Sequence, residues 1–160
     1  MIVGVMSCDV NGVIGKNGVI PWSCEEDTQF FRDTTYDENL IVGRKTFDSL
    51  PENLLNNRRF MIFSKTIKLI RDKCIFFSSL SEFIGYIIKM FDNESKFYMI
   101  GGAEVADLFF TESLIDAFIL TVMNGSYLGD RKLNIKRLSG WKKETMLISP
   151  KFSRFRYLKP

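Results

Sequence analysis

The chain has 160 residues, 46% of them hydrophobic and 14% aromatic, with 15 Phe and a formal net charge of +3. That length and composition support one folded domain with its own core, and the small, scattered charge offers no basic stripe for nucleic acid. The complete absence of histidine excludes Ser-His-Asp and Cys-His catalysis and histidine-based metal sites.

Cys8, Cys24 and Cys74 lack C-x-x-C spacing, so neither a zinc site nor a redox pair is indicated. Isolated thiols fit a reducing compartment. The N-terminal MIVGVMSCD carries no basic leader, and no apolar run approaches the ~20 residues that span a bilayer. The expectation is a soluble cytoplasmic protein with no metal, membrane or nucleic-acid partner.

In chain order, IVGVMSC (2–8) reads as a buried strand. DVNGVIGKNGVIP (9–21), with three regularly spaced glycines, reads as a long mobile loop. A helix from Cys24 to about Thr35 follows, with Ser23 as N-cap of an S-x-x-E capping box. NLIVG (39–43), RRFMIFS (58–64) and CIFF (74–77) are further strands, the first running into a short helix at RKTFDSL. SLSE (79–82) is a second capping box, opening an amphipathic helix to about Phe91. KFYMI (96–100) and AFILTV (117–122) are strands flanking a helix over 103–110, and KKETMLIS with FSRFRYL alternates as an antiparallel pair. Apolar strands alternating with helices predict an α/β fold. Residues 1–160 are expected to form a single domain with a central, mostly parallel twisted sheet, an antiparallel C-terminal edge and helices on both faces.

Within the first helix, Glu25 and Glu26 suit the exposed N–H groups of a first turn. Asp27 does not fit so simply. Phe30, Phe31 and Thr34 share its face, so that face should look inward. Asp27 also occupies the position where a hydrophobic staple would give Trp22 an apolar partner. An unpaired buried charge costs several kcal/mol, roughly, even after relaxation. Either the face opens on a cleft, a partner arrives from elsewhere, or Asp27 is a half-solvated edge acid.

Ligands of parallel sheets bind beyond the carboxyl ends of the strands. Three such ends carry chemistry: Gly43-Arg44-Lys45-Thr46, Ser64-Lys65 and Gly101-Gly102. Basic residues are wasted on a helix start unless an anion binds there, and this cluster suits the extra phosphate of NADP. The alternatives are solvated surface cations and, for the glycine pair, a tight turn. No G-x-G-x-x-G or Walker sequence is present. Thr121 is a lone hydroxyl in an apolar run, either a core threonine or one that reaches a buried carboxylate through water.

Taken together, VIGKNGVIPW (13–22), Asp27 with Phe30 and Phe31, IVGRKTFDSL (41–50), Arg58, IGGAEV (100–105), FILT (118–121) and GD (129–130) resemble the dihydrofolate reductase family over essentially the full length. The resemblance implies hydride transfer from NADPH to C6 of 7,8-dihydrofolate with protonation at N5, giving 5,6,7,8-tetrahydrofolate for one-carbon metabolism in a monomeric enzyme. It implies that Asp27 meets the pterin amino group and ring N–H, so that the partner of the inward acid is the substrate. Trp22 and Thr121 would assist it through water. Val5, Met6, Phe31, Leu50 and Ile100 would line the substrate pocket, and Arg58 would bind the carboxylate of the glutamate tail. Ser7, Ile14, Gly15 and Ile20 would surround the nicotinamide. Gly43, Arg44, Lys45, Thr46, Ser64 and Lys65 would clamp the adenosine phosphates, and Gly101, Gly102, Ala103, Glu104 and Val105 would hold the pyrophosphate at a cis glycine pair. The 9–21 loop would close as a lid, and Asp27→Asn would leave folding intact or improve it while cutting turnover sharply at neutral pH and less at low pH.

Three positions depart from the family pattern. Glu104 stands where a basic residue is frequent, Ala106 where a tyrosine is usual beside the nicotinamide, and GDRKLN (129–134) lacks a phenylalanine-proline ending. Two alternatives stay open: a related NADPH-dependent reductase of another pterin or pyrimidine, and a catalytically weak NADPH-binding module.

Overall fold

A computed structural model describes residues 1–67 and 70–160, with the backbone alone at Ile70 and Arg71. The strands are β1 Ile2–Cys8, β2 Val13–Gly15, β3 Asn39–Gly43, β4 Arg59–Phe63, β5 Ile70–Arg71, β6 Cys74–Phe77, β7 Phe97–Gly101, β8 Ala117–Met123, β9 Arg131–Lys132, β10 Lys142–Ile148 and β11 Phe152–Leu158. The helices are α1 Glu25–Thr34, α2 Arg44–Asp48, α3 Glu52–Leu55, α4 Leu80–Met90 and α5 Ala103–Thr111.

Nine strands form one sheet in the order β10-β11-β8-β1-β7-β3-β4-β6-β5. The run from β8 to β6 is parallel. β11 joins β8 antiparallel, β10 joins β11 the same way, and β5 closes the far edge antiparallel to β6. The anticipated architecture therefore holds, with a second antiparallel edge at β5. The parallel strands lack polar alternation because both of their faces are covered. On one face Phe83 of α4 and Phe109 of α5 pack with Phe63 and Phe77. On the other, Phe30 and Phe31 of α1, Phe47 of α2 and Leu55 of α3 pack on Val5, Leu40, Val42 and Ile100.

Two local expectations change. Ser23 is not the N-cap of α1. Cys24 is, without a side-chain cap bond. The reason is Lys151, whose Nζ donates to both Glu26 oxygens at 2.9 and 3.3 Å and draws that carboxylate away from Ser23. The second box does form at Ser79, which accepts from Glu82 N–H, while Glu82 reaches back to Ser78. The 9–21 segment is also more than a loop. β2 lies within it and pairs with β9, making a small sheet of its own.

Candidate active site

The register of three adjacent strands builds the centre of the site. Ser7 on β1 lies opposite Thr121 on β8, and Thr121 lies opposite Arg154 on β11. Residues opposite one another share a face, so one polar row crosses the sheet beneath α1. Asp27 comes down onto this row. Its Oδ1 accepts from Arg154 Nη2 at 2.9 Å, and its Oδ2 accepts a short hydrogen bond from the Ser7 hydroxyl. Arg154 Nε donates to Thr121 Oγ1 at 2.9 Å. The guanidinium carbon is 3.6 Å from the centre of the Phe30 ring and 4.9 Å from that of Phe152. Only 5% of the Arg154 side chain and 15% of the Asp27 side chain are exposed.

This overturns the expectation that the substrate, and not the protein, is the partner of Asp27. The chain supplies its own counter-ion. Thr121 likewise holds the arginine directly, so its part is to orient Arg154. The sequence carried a signal for this in FSRFRYL, because strand alternation places Arg154 on the same face as the buried Phe152. The sequence reading stopped at the alternation of an antiparallel pair and assigned Arg154 no role. Trp22 packs beside the row against Cys24, Met123 and Phe152, with its ring 5.3 Å from that of Tyr127.

α1 leads from this pair to a second buried charge. Arg58 is 4% exposed. Its Nε donates to Thr35 Oγ1, its Nη1 to the carbonyls of Leu54 and Asn56, and its Nη2 to the carbonyl of Arg32. Among the described residues no carboxylate forms an ion pair with it, and burial pushes its guanidinium down from the ordinary range. At 1.5 Å per residue, Asp27 and Thr35 stand about 12 Å apart along the helix. A buried cation without an anion at one end and a carboxylate at the other suit an elongated ligand with a donor-bearing ring and an acidic tail. Phe31 and Leu50 pack with Val5 and Ile100 on this face. Met6 belongs to the core on the opposite face, beside Gly101, which corrects its assignment to the lining around Asp27.

The loaded strand ends do meet. Gly43 pairs with Phe63 across β3 and β4, and Val42 with Gly101 across β3 and β7. The Gly101-Gly102 peptide is cis. A Cβ on Gly102 would lie 2.9 Å from Thr46 Oγ1, so the glycine keeps open a cradle between α2 and the start of α5. Arg44 spans the gap to the next turn, with Nη1 donating to Thr66 Oγ1 and Nε 3.4 Å from Asp48. Lys45 and Lys65 are exposed nearby. Ser64 is buried, and its oxygen accepts from the N–H groups of Thr66 and Ile67, so it shapes the turn that carries Lys65. Glu104 is exposed and lies 4.0 Å from Arg131. Ala106 is fully buried in the core and Val105 nearly so, while Ala103 opens α5.

The 9–21 segment borders both halves. Asp9 begins it, accepting from the N–H groups of Asn11, Val13 and Tyr127. Burial would raise its pKa, but those three bonds and the charge of Lys132 prevail and hold it below the ordinary carboxylate range. Asp130 N–H donates to Gly15 O, and Asn17 N–H to Asp130 Oδ2. Ile14 packs on the core, whereas Ile20 is exposed. Burial, with the adjacent Asp9 charge, pushes the Cys8 thiol up to about 12, so this thiol is no nucleophile. No three His, Cys, Asp or Glu side chains gather as metal ligands among the described residues. A recess of about 370 Å³ lined by Arg59, Asp72, Lys73, Tyr86 and Phe91 lies at the opposite, amino ends of the strands, away from this chemistry.

Comparisons with known proteins bear on the family and the fold. The dihydrofolate reductase family model matches residues 1–148. The chain is 33% identical over 121 residues to the dihydrofolate reductase of Ureaplasma parvum, covering 74% of this chain and 72% of that one. It is 30% identical over 132 residues to the enzyme of Lactococcus lactis, covering 81% and 76%. Its fold matches that of Enterococcus faecalis dihydrofolate reductase, solved with NADP(H) and RAB-propyl, with a TM-score of 0.78 at 22% identity over 99% of this chain and 95% of that one.

Proposed function

The chain belongs to the dihydrofolate reductase family, whose reaction is the NADPH-dependent reduction of 7,8-dihydrofolate to 5,6,7,8-tetrahydrofolate, and we propose that this chain performs it with Asp27 orienting the pterin ring. The observation that carries the reading is a pair of opposite charges placed along α1, the half-buried Asp27 at its start and the buried Arg58 beside its end. Arg154 and Ser7 each use one acceptor site of the Asp27 carboxylate, and each oxygen can accept a further bond. The free positions take the ring's amino group and adjacent N–H. Arg58 keeps one N–H on Nη2 for the tail carboxylate. Val5, Phe31, Leu50 and Ile100 exclude water from the ring's apolar flank.

NADPH supplies the hydride when bound. The chain fits it at the Gly102 cradle, with Arg44, Lys45, Thr46 and Lys65 around the phosphates and Ile14, Gly15 and Ile20 toward the nicotinamide. Solvent delivers the proton to N5 past Trp22, and the 9–21 segment regulates access. In this reading the chain acts as a monomer in the cytoplasm, a compartment that suits its three cysteines, none of them in a disulfide. No helix of the described residues is long and apolar enough to cross a membrane.

The Arg154 contact also favours a second reading. A carboxylate already met by its own chain fits a weakly catalytic NADPH-binding module. Oxidation of NADPH by the purified chain, followed with and without dihydrofolate, decides between them. Oxidation that depends on dihydrofolate supports the reductase, and cofactor binding without turnover supports the module.

A further inference from the structure

Arg154 is held in place independently of Asp27. Thr121 takes its Nε, Phe30 and Phe152 flank its guanidinium, and 5% of its side chain is exposed. A ligand that removed it from the carboxylate would have to break these contacts and strand a cation in an apolar setting. The arginine therefore remains when the site is filled, and the charge balance of the filled site follows. A neutral heterocycle that donates an amino group and a ring N–H leaves one cation facing one anion. A protonated amidine-type heterocycle would leave two cations about one anion at low local dielectric.

We propose that Arg154 is a specificity-determining residue that makes Asp27 a recogniser of neutral 2-amino-4-oxo heterocycles and a poor binder of cationic 2,4-diaminopyrimidines. The inference rests on the reading of Asp27 as the ring-binding acid. The other groups around Asp27 do not confuse the effect. Ser7 on β1 and Thr121 on β8 present hydroxyls. Burial raises the pKa of Cys24 at the start of α1. In the same turn Glu26 is lowered to about 2 by its hydrogen bond from Lys151, whose own pKa is raised in return. These groups keep one charge state through the neutral range.

The test measures dissociation constants of a 2,4-diaminopyrimidine and its 2-amino-4-oxo counterpart for the full chain, Arg154→Met and Arg154→Lys. Removing the charge is expected to shift the affinity ratio toward the diamino compound by about tenfold or more. Arg154→Lys should hold the ratio within about threefold of the native value. A ratio that moves less than about threefold in a folded Arg154→Met protein overturns the proposal. The native chain gives a second readout that needs no variant. Its affinity for the diaminopyrimidine should fall as pH drops through the ligand's own pKa, because the site takes the neutral form. Affinity that rises on acidification to that point overturns the proposal. Should the native chain bind the heterocycles yet fail to oxidise NADPH with dihydrofolate, the reductase reading fails while the charge argument stands. Should it turn over dihydrofolate with the ratio unmoved in Arg154→Met, the charge argument fails alone.

Discussion

Thr121 and Arg154 stand directly opposite each other on β8 and β11, and the threonine hydroxyl accepts the arginine Nε at 2.9 Å. Thr121→Val keeps the shape and removes the acceptor. Leaving a buried donor unsatisfied costs about 1–3 kcal/mol, so that loss is expected in denaturant unfolding. In an Arg154→Met background the same substitution should cost much less, a coupling of about 1 kcal/mol or more.

Asp27→Asn has a different outcome from the one the sequence suggests. The amide cannot neutralise Arg154, which is then a buried cation without its anion. Stability should fall by about 3 kcal/mol, and turnover at neutral pH by about a hundredfold, the cost of a misplaced ring. Denaturant unfolding and steady-state rates measure the two. A variant as stable as the native chain would show that the arginine relaxes into solvent.

Gly129→Ala tests how the 9–21 segment is fastened. A Cβ at 129 would lie 2.2 Å from Val13 Cγ1 and 2.7 Å from Gly15 O, where backbone cannot easily yield. The β2-β9 pairing should loosen, with faster amide exchange at Gly15 and Asn17. Turnover should drop several-fold without a comparable change in the stability of the main sheet.

Gly102→Ala tests the cradle. Thr46 Oγ1 must retreat from the added methyl, and the space between α2 and α5 narrows. The KM for NADPH is expected to rise about tenfold, with a smaller change in the KM for dihydrofolate.

Asp9 governs part of the acid response. Its folded pKa lies below the unfolded value of about 3.9. Its contribution is therefore complete above that value and is lost as pH falls through the folded pKa. Asp9→Asn should lower stability at neutral pH and flatten the acid limb of the stability profile. An unchanged acid limb would mean that its three backbone donors find other acceptors.

The sheet was legible because its strands are short apolar runs whose order admits few topologies, and the loaded ends of β3, β4 and β7 followed from parallel pairing. The β2-β9 pair was hidden because glycine spacing reads as a loop until its partner, far along the chain, is placed. The α1 capping box failed for a similar reason, since Lys151 competes for Glu26 from a remote turn. At the site, the position of Asp27 announced that something must answer it, and local sequence could not say what. The answer depends on which residue of β11 falls opposite Thr121, and a shift of one residue would have turned Arg154 away from α1 altogether.

The contact between Asp27 and Arg154 joins positions 127 residues apart. The acid is therefore synthesised long before its counter-ion, and until β11 is placed Asp27 lacks its arginine and the β8 edge lacks its outer neighbour. Docking of β11 covers that edge and quenches the charge in one event. The ligand site is therefore completed only by the strand that also closes this side of the parallel sheet, so a chain that loses β11 loses the site with it.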